Sequence, residues 1–395
     1  MHDYKEPMKL AFLGGSIDSA IGYTHYIASQ MDHLFILSAG CFSQNKDINH
    51  KTALTWGVDK EHLYSDWKTL LESEKDYIDA VVVLTPTPNH HEMILKALNM
   101  GYAVISEKAL ATTYQEGQDI VEKIEEKKAF FAVTHNYTGY PMLRELQYMI
   151  QHEKLGKIIH INIEMPQESF IRLNIDGKKS QPQSWRLEEG KIAGVSLDLA
   201  AHLQHMIYFL TNENPAEIVA DQASHGWFDD VIDDVTCMAR YKSGMRSQMW
   251  YGKSFLGHRN GLRVRVYGTE GSAEWFQMEP EELLYNKING ERMIIDRASN
   301  VSVSNQLRYN RFKSGHPAGF IEAFGNLYVD IAQKLEQYKI DNNHHLNWTY
   351  DAPQATIGLA VFEAIQKSTQ NNKWIKVEEV TKKSVVRKRG AFNAS

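Results

Sequence analysis

Lys9-Leu10-Ala11-Phe12-Leu13-Gly14-Gly15-Ser16-Ile17-Asp18-Ser19-Ala20-Ile21-Gly22 decides the architecture of the first third of the chain. Lys9 to Leu13 reads as a short buried strand, the glycines turn the chain, and a helix over about Ala20 to Met31 follows. A glycine turn between strand and helix lets backbone N–H groups approach a pyrophosphate at the helix N-terminus. Gly14, Gly15, Ser16 and Ile17 are therefore candidate cofactor-binding residues. The dinucleotide fingerprint is matched incompletely. Ser16 stands where a second glycine gives the closest approach, and Asp18 adds negative charge where a phosphate would lie.

Outward from this turn the alternation continues. Leu34 to Phe42, Ile78 to Leu84, Tyr102 to Ile105 and Ala129 to Thr134 read as strands. Helical patterns fall at Lys51 to Trp56, Trp67 to Glu72, His91 to Met100 and Tyr114 to Lys127. Repeated βα units with right-handed crossovers predict an α/β Rossmann domain, a doubly wound parallel sheet, over residues 1–134. Ligands of such sheets lie at the C-terminal ends of the strands, where Ser106-Glu107-Lys108-Ala109-Leu110 follows Tyr102 to Ile105. An acid at the end of the second strand would hold the ribose hydroxyls of NAD. The chain has Cys41-Phe42-Ser43-Gln44-Asn45-Lys46 instead, so Ser43 and Lys46 are candidates for a 2′-phosphate. NAD or NADP fits, and these two residues favour NADP.

Beyond His135 the pattern changes. Ile158 to Glu164, Glu217 to Ala223, Val235 to Tyr241, Arg246 to Tyr251 and Leu262 to Tyr267 read as strands, with helices at about Leu197 to Leu210, Gly319 to Leu335 and Ala355 to Gln370. That series predicts an α+β domain over 135–395 with a mostly antiparallel open sheet. Asp198 and His202 are four apart and share one helix face. The spacing suits a carboxylate that orients an imidazole, although spacing alone more often marks a plain helix-surface ion pair. His205 lies close to the same face. Asp229-Asp230 and Asp233-Asp234 lack companion ligands and read as a solvated acidic turn; no metal is expected. The adjacent pairs His90-His91 and His344-His345 face apart and make poor chelates.

Composition excludes several classes. The length of 395 residues predicts two domains, and 43% hydrophobic with 23% charged residues is ordinary for a globular protein. A net charge of -6 offers no basic field for nucleic acid. Lys382-Lys383 with Arg387-Lys388-Arg389 reads as a solvated tail. Two cysteines, Cys41 and Cys237, make no disulfide framework, as suits a reducing cytoplasm. Met1 to Met8 shows no signal peptide, and no apolar run reaches membrane-spanning length. A cytoplasmic protein without membrane or nucleic-acid partners is expected.

Together these features resemble the glucose–fructose oxidoreductase/inositol dehydrogenase (Gfo/Idh/MocA) family. Thr85-Pro86-Thr87-Pro88-Asn89-His90 matches that family's Thr-Pro-Asn-like turn. Glu107-Lys108 matches its Glu-Lys-Pro motif, with Ala109 in place of proline. Gly194 to His202 matches its Asp-x-Gly-x-His segment, with Ala200 in place of glycine. A subgroup resemblance rests on Phe131 to Pro141, Trp185-Arg186, Leu262 to Gly268 and Gly315-His316-Pro317 through Phe324. That subgroup carries Gly-Gly-Gly-Pro-Gly where this chain has Gly14 to Asp18.

The resemblance implies a domain that binds NAD or NADP, with Thr85, Pro86, Asn89, His90, Glu107, Lys108 and Asn136 on the cofactor side. It implies hydride transfer between the nicotinamide and a carbinol carbon of a sugar, sugar derivative or cyclitol. His202 is then the general base, Lys108 hydrogen-bonds the same oxygen, and Asp198 orients the substrate or His202. Tyr137, Trp185, Arg186 and His316 are candidates to line the sugar site, because hydroxyl-rich ligands need dispersed donors and an aromatic face. The resemblance also implies an open sheet whose exposed face forms the interface of a homodimer or homotetramer. Two alternatives stand beside this reading: a non-catalytic dinucleotide-binding sensor of the same fold, and an enzyme that keeps its nicotinamide bound between turnovers.

Overall fold

The computed structural model describes residues 6–341 and 348–381. Met1–Lys5, His344-His345 and the basic segment Lys382–Arg389 lie outside them. The chain forms two compact units. The first takes residues up to Ala111, Glu116–Gly139 and Gly319–Ala355; the second takes Thr112–Gln115, Tyr140–Ala318 and the chain from Thr356 onward. Among the described residues no helix is long and apolar enough to cross a membrane.

In the first unit, β1 (Met8–Gly14), β2 (Phe35–Cys41), β3 (Ala80–Leu84), β4 (Ala103–Ser106) and β5 (Phe131–Val133) form a parallel sheet in the order β2-β1-β3-β4-β5. Helices α1 (Ala20–Gln30), α2 (Lys46–Trp56), α3 (Trp67–Ser73), α4 (His90–Asn99) and α5 (Tyr114–Lys127) connect the strands. A single parallel bridge, Gly40 to Leu63, lies beyond β2. Counting that bridge as a strand reduced to one residue gives the 3-2-1-4-5-6 order of dinucleotide-binding sheets. The strand order reverses between β1 and β3, so the switch point falls at the Gly14-Gly15 turn.

Helix α2 starts five residues earlier than its periodicity predicts. Asn45 caps it, its side-chain oxygen accepting from the Asp47 and Ile48 N–H groups. It ends at Gly57 in the left-handed conformation.

The division of the chain also departs from a boundary at residue 134. Helix α8 (Phe320–Asp341) returns to the first unit. Its residues Phe324, Leu327, Tyr328, Ile331 and Leu335 repeat at helical spacing and join one core with Leu10, Phe12, Phe35, Leu37, Val82 and Ile105. Burying these side chains stabilises the unit by about 2 kcal/mol each. A sheet of this kind needs both faces covered, and a distant segment of the chain supplies part of that cover.

The second unit holds a nine-stranded sheet, ordered β13-β12-β11-β10-β6-β9-β8-β7-β14. Its strands are β6 (Ile158–Pro166), β7 (Glu217–Ala223), β8 (Asp234–Arg240), β9 (Arg246–Gly252), β10 (Arg263–Gly268), β11 (Gly271–Phe276), β12 (Leu283–Lys287), β13 (Arg292–Ile295) and β14 (Ile375–Lys376). Among the described residues of this sheet, only β6 and β9 pair in parallel. Alternate residues such as Ile161, Ile163, Cys237, Met249, Tyr251, Val264 and Trp275 are buried, while Ile159, Met238, Tyr267 and Ile294 are exposed. That period of two defines one packed face and one open face. Helices α6 (Pro141–Gln151), α7 (Ala201–Thr211) and α9 (Ala352–Asn371) complete the main elements. Strands β11 to β14 and helix α6 go beyond the sequence reading; α6 is hidden because seven of its eleven residues are buried and include Arg144 and Glu145.

The acidic turn is also corrected. Asp229 and Asp230 are exposed, but Asp233 is buried and accepts from the His225 and Gly226 N–H groups at 3.0 and 2.6 Å. Asp234 pairs with His225 and Trp250, each at 3.3 Å.

Candidate functional site

The dinucleotide loop is built from backbone geometry. Gly14 and Gly15 have φ of 82° and 72°, the left-handed region that favours glycine. A Cβ on Gly15 would meet Leu84 Cδ1 at 2.6 Å, and one on Gly22 would meet the Gly15 carbonyl oxygen at 2.1 Å. The loop therefore lies flat on the end of β3 and the first turn of α1. Ser19 caps α1 by accepting from the Gly22 N–H, and the Ile17 N–H donates to Thr52 Oγ1 at 3.2 Å. These residues fit a dinucleotide: glycine conformations, close approach and a capped helix N-terminus coincide at the switch point. Asp18 is exposed at the edge of the loop.

The turn after β2 carries no acid. Asn49 accepts from the Phe42 and Ser43 N–H groups at 2.8 and 3.3 Å and donates to the Tyr64 carbonyl at 2.9 Å. Ser43 Oγ accepts from the Asn45 N–H at 3.1 Å, and Lys46 opens α2 in an exposed position. Burial pushes the Cys41 thiol up to about 11, so it stays protonated at neutral pH.

At the end of β4 the Glu107-Lys108 pair sits in a buried network within the first unit. His25, fully buried, places Nε2 at 3.1 Å from Glu107 Oε1 and Nδ1 at 2.6 Å from the Tyr328 hydroxyl. The Thr134 hydroxyl donates to the same Glu107 oxygen, and the Lys108 N–H donates to Oε2 at 3.1 Å. Burial alone would raise the Glu107 carboxyl; the His25 contact, the Lys108 charge and the Thr134 hydroxyl together hold it below the usual range. His135 is likewise buried, and desolvation pushes its pKa down to about 3, so its ring is neutral at working pH.

Two residues expected on the cofactor side are occupied in bracing. His90 is fully buried, with Nδ1 at 2.8 Å from the Ala109 carbonyl and Nε2 at 2.8 Å from the Thr85 carbonyl. It ties the turn Thr85–Asn89 to the Glu107–Ala109 turn, and burial lowers its pKa against the pull of both carbonyls. Glu107 turns its oxygens inward in the same way. Asn136 and Tyr137 are buried in a short turn, Asn136–Gly139, which Asn326 fixes by donating to the Gly139 carbonyl at 2.8 Å. The Tyr137 ring packs against Phe320.

In the second unit Asp198 and His202 are both buried. Periodicity predicts one α-helix over them. Ser196–Ala200 is instead a π-helical turn, in which the Ala201 N–H reaches back to the Ser196 carbonyl before α7 begins. Such turns concentrate at functional sites. Asp198 Oδ2 accepts from Lys253 Nζ at 2.5 Å and pairs with the Arg186 guanidinium. Arg186, expected to line a sugar site, thus lies on Asp198, 4.4 Å from the centroid of the Trp185 ring. His316 is exposed, its ring edge-on to Phe312 at 4.6 Å.

His25, Thr134, Tyr328 and Lys253 escape the sequence reading. His25 carries a usable signal, because it falls on the inward face of α1 with Gly22 and Ala28. Lys253 follows Tyr251-Gly252 with no periodicity to mark it.

Comparisons with known proteins agree with this fold. Residues 9–135 match the model of the oxidoreductase family with an NAD-binding Rossmann fold, and residues 143–274 match the GFO/IDH/MocA C-terminal domain. An uncharacterised oxidoreductase, YfiI, of Bacillus subtilis (strain 168) is 28% identical over 94% of this chain and 97% of its own. A 1,5-anhydro-D-fructose reductase of Ensifer adhaerens is 28% identical over 49% of this chain, which spans 56% of that protein. Among solved structures, an oxidoreductase from Sinorhizobium meliloti superposes with a TM-score of 0.82 at 28% identity, covering 94% of this chain and all of that one. An inositol dehydrogenase homologue from Azotobacter vinelandii, solved with NADH and myo-inositol, shares the fold with a TM-score of 0.84 at 24% identity, covering 94% of this chain and 98% of that one. With both halves of the family pattern present in order, the chain belongs to the Gfo/Idh/MocA family of oxidoreductases.

Proposed function

We propose that the chain transfers a hydride between NADP or NAD and a carbinol carbon of a sugar, sugar derivative or cyclitol. The observation that carries the reading is that one chain holds a glycine loop shaped for a dinucleotide and, in its second unit, a buried Asp198–His202 pair. Gly14, Gly15, Ser16 and Ile17 would hold the dinucleotide, whose nicotinamide accepts or returns the hydride. Lys108 donates a hydrogen bond to the carbinol oxygen and stabilises the charge that develops there. His202 takes the hydroxyl proton as general base, and Asp198 orients it or the substrate. Asn136, Tyr137, Trp185 and Arg186 shape the surroundings of these groups. Ser43 and Lys46, with no acid between Cys41 and Lys46, favour NADP. The open face carrying Ile159, Met238, Tyr267 and Ile294 suits self-association, and the two free thiols suit the cytoplasm.

A titration with NAD and NADP in both redox states, read by tryptophan fluorescence, tests the cofactor. Tighter NADP supports the roles of Ser43 and Lys46, and tighter NAD removes them. Binding of neither, in protein free of retained nicotinamide, favours a non-catalytic sensor. With the preferred dinucleotide, a panel of sugars and cyclitols is screened for change in nicotinamide absorbance. Lys108→Met is expected to lower turnover roughly 100-fold or more with dinucleotide affinity almost unchanged. Near-normal turnover in that variant would exclude the lysine from the chemistry.

A further inference from the structure

We propose that Lys253 is a positioning residue for the reaction, acting through Asp198; this rests on the oxidoreductase reading above. Lys253 follows the last residue of β9, and only 6% of it is exposed. Its Nζ lies 2.5 Å from Asp198 Oδ2, the oxygen that also meets the Arg186 guanidinium. A buried ammonium and a guanidinium that converge on one oxygen of a buried carboxylate fix its direction, and the Lys253 ammonium, with so little exposure to water, is held by that charge.

The strand end is itself immobilised. The Lys253 N–H donates to the Asp233 carbonyl at 2.8 Å, and the Phe170 N–H donates to the Lys253 carbonyl at 2.9 Å. A Cβ on Gly252 would meet that same Asp233 oxygen at 2.2 Å, so the strand lies directly against its neighbour. One residue earlier, the Tyr251 hydroxyl bonds Ser196 Oγ at 2.8 Å, with both groups buried. Two successive polar contacts, Tyr251 to Ser196 and Lys253 to Asp198, therefore join the end of β9 to the π-helical turn. That turn leads directly into α7, which carries His202. The end of β9 thus sets both the place of the turn and the aim of the Asp198 carboxylate. Lys253 touches Asp198 and is assigned no contact with substrate or cofactor.

The test uses full-length wild type, Lys253→Met, Lys253→Arg, Asp198→Asn and the Lys253→Met/Asp198→Asn double variant. Each is measured for kcat and KM on the best substrate of the panel, for dinucleotide affinity, and for melting midpoint. Lys253→Met is expected to lower kcat roughly 30-fold or more, with KM and dinucleotide affinity within about threefold. Lys253→Arg is expected to recover most of that loss, and the double variant to be no slower than Asp198→Asn alone. Additive losses, no recovery by arginine, or a kcat equal to wild type overturns the proposal. A Lys253→Met protein that fails to fold leaves Lys253→Arg and Asp198→Asn to decide: recovery in the first and loss in the second sustain the proposal, and any other pair overturns it. A wild type that binds dinucleotide and turns over nothing overturns the oxidoreductase reading and this proposal with it. Turnover in wild type with unaltered kcat in Lys253→Met overturns the positioning role alone.

Discussion

Replacing His25 by leucine tests whether the Glu107 network is held by a buried charge interaction. The substitution keeps a side chain of similar volume and removes two contacts, 3.1 Å to Glu107 Oε1 and 2.6 Å to the Tyr328 hydroxyl. Glu107 keeps Thr134 and the Lys108 N–H but loses its ring partner in a site shielded from water. A hydrogen bond to a buried charge stabilises by about 1.5–3 kcal/mol, and stripping one partner from a buried pair costs about 3–5. A loss of about 3 kcal/mol is therefore expected, lowering the first unit's melting midpoint by roughly 6–12 °C.

The pH dependence gives the sharper test. In the wild type the Glu107 carboxyl lies below its ordinary value of 4.5, so its contribution is complete above that pH and is lost on further acidification. In His25→Leu the burial that favours the neutral acid, the largest influence on this group, is less opposed. The folded-state pKa then rises above the unfolded value, and the folded variant takes up a proton before the unfolded chain does. Acidification from pH 7 to 5 should therefore narrow the stability gap between variant and wild type. The assay is urea unfolding at several pH values, with a double-mutant cycle against Glu107→Gln. A constant gap across that range, or additive effects in the cycle, would refute the argument.

Other outcomes follow from single positions. Gly15→Ala forces a Cβ to within 2.6 Å of Leu84 at a left-handed φ, and fluorescence titration should show dinucleotide affinity falling at least tenfold. Phe324→Ala empties the core between α8 and the sheet and is expected to cost about 3–5 kcal/mol in urea unfolding. Cys237, buried and pushed up to about 12, should resist thiol reagents at pH 8 in native protein and react at once after unfolding; rapid native labelling would contradict its burial.

The sequence displays what local physics writes and hides what distant contacts decide. The parallel sheet is legible because each strand is a short apolar run closed by turn residues, and the Gly14-Gly15 turn is legible because only glycine occupies that backbone region easily. Gly319 to Leu335 reads as a helix, and α8 spans Phe320–Asp341 there, but no periodicity says which sheet its apolar stripe covers. The missing acid after β2 was visible, whereas the Asn49 bonds that shape that turn required coordinates. His90 illustrates the limit most directly. A histidine in a recognisable cofactor turn reads as a ligand contact, yet both of its nitrogens lie against backbone carbonyls nineteen residues and five residues away.

A motif therefore marks a place more reliably than it assigns a role within that place. Glu107 and Lys108 are adjacent, but Glu107 is enclosed by His25 and Thr134 while Lys108 retains partial exposure. The first supplies a fixed charge that anchors the turn, and the second is the member to which the proposed mechanism gives the hydrogen bond to substrate. Asp198 and His202 divide in a similar way: the carboxylate is clasped by Arg186 and Lys253 at the π-helical turn, while His202 sits in the first turn of α7. In each unit a titratable group assigned to the reaction stands beside a carboxylate fixed by partners from distant parts of the sequence. His25 and Lys253 among those partners fall in no motif, because their spacing along the chain is set by the fold rather than by a helix or strand repeat. Substituting them should change rates through geometry and charge, with no direct contact to substrate.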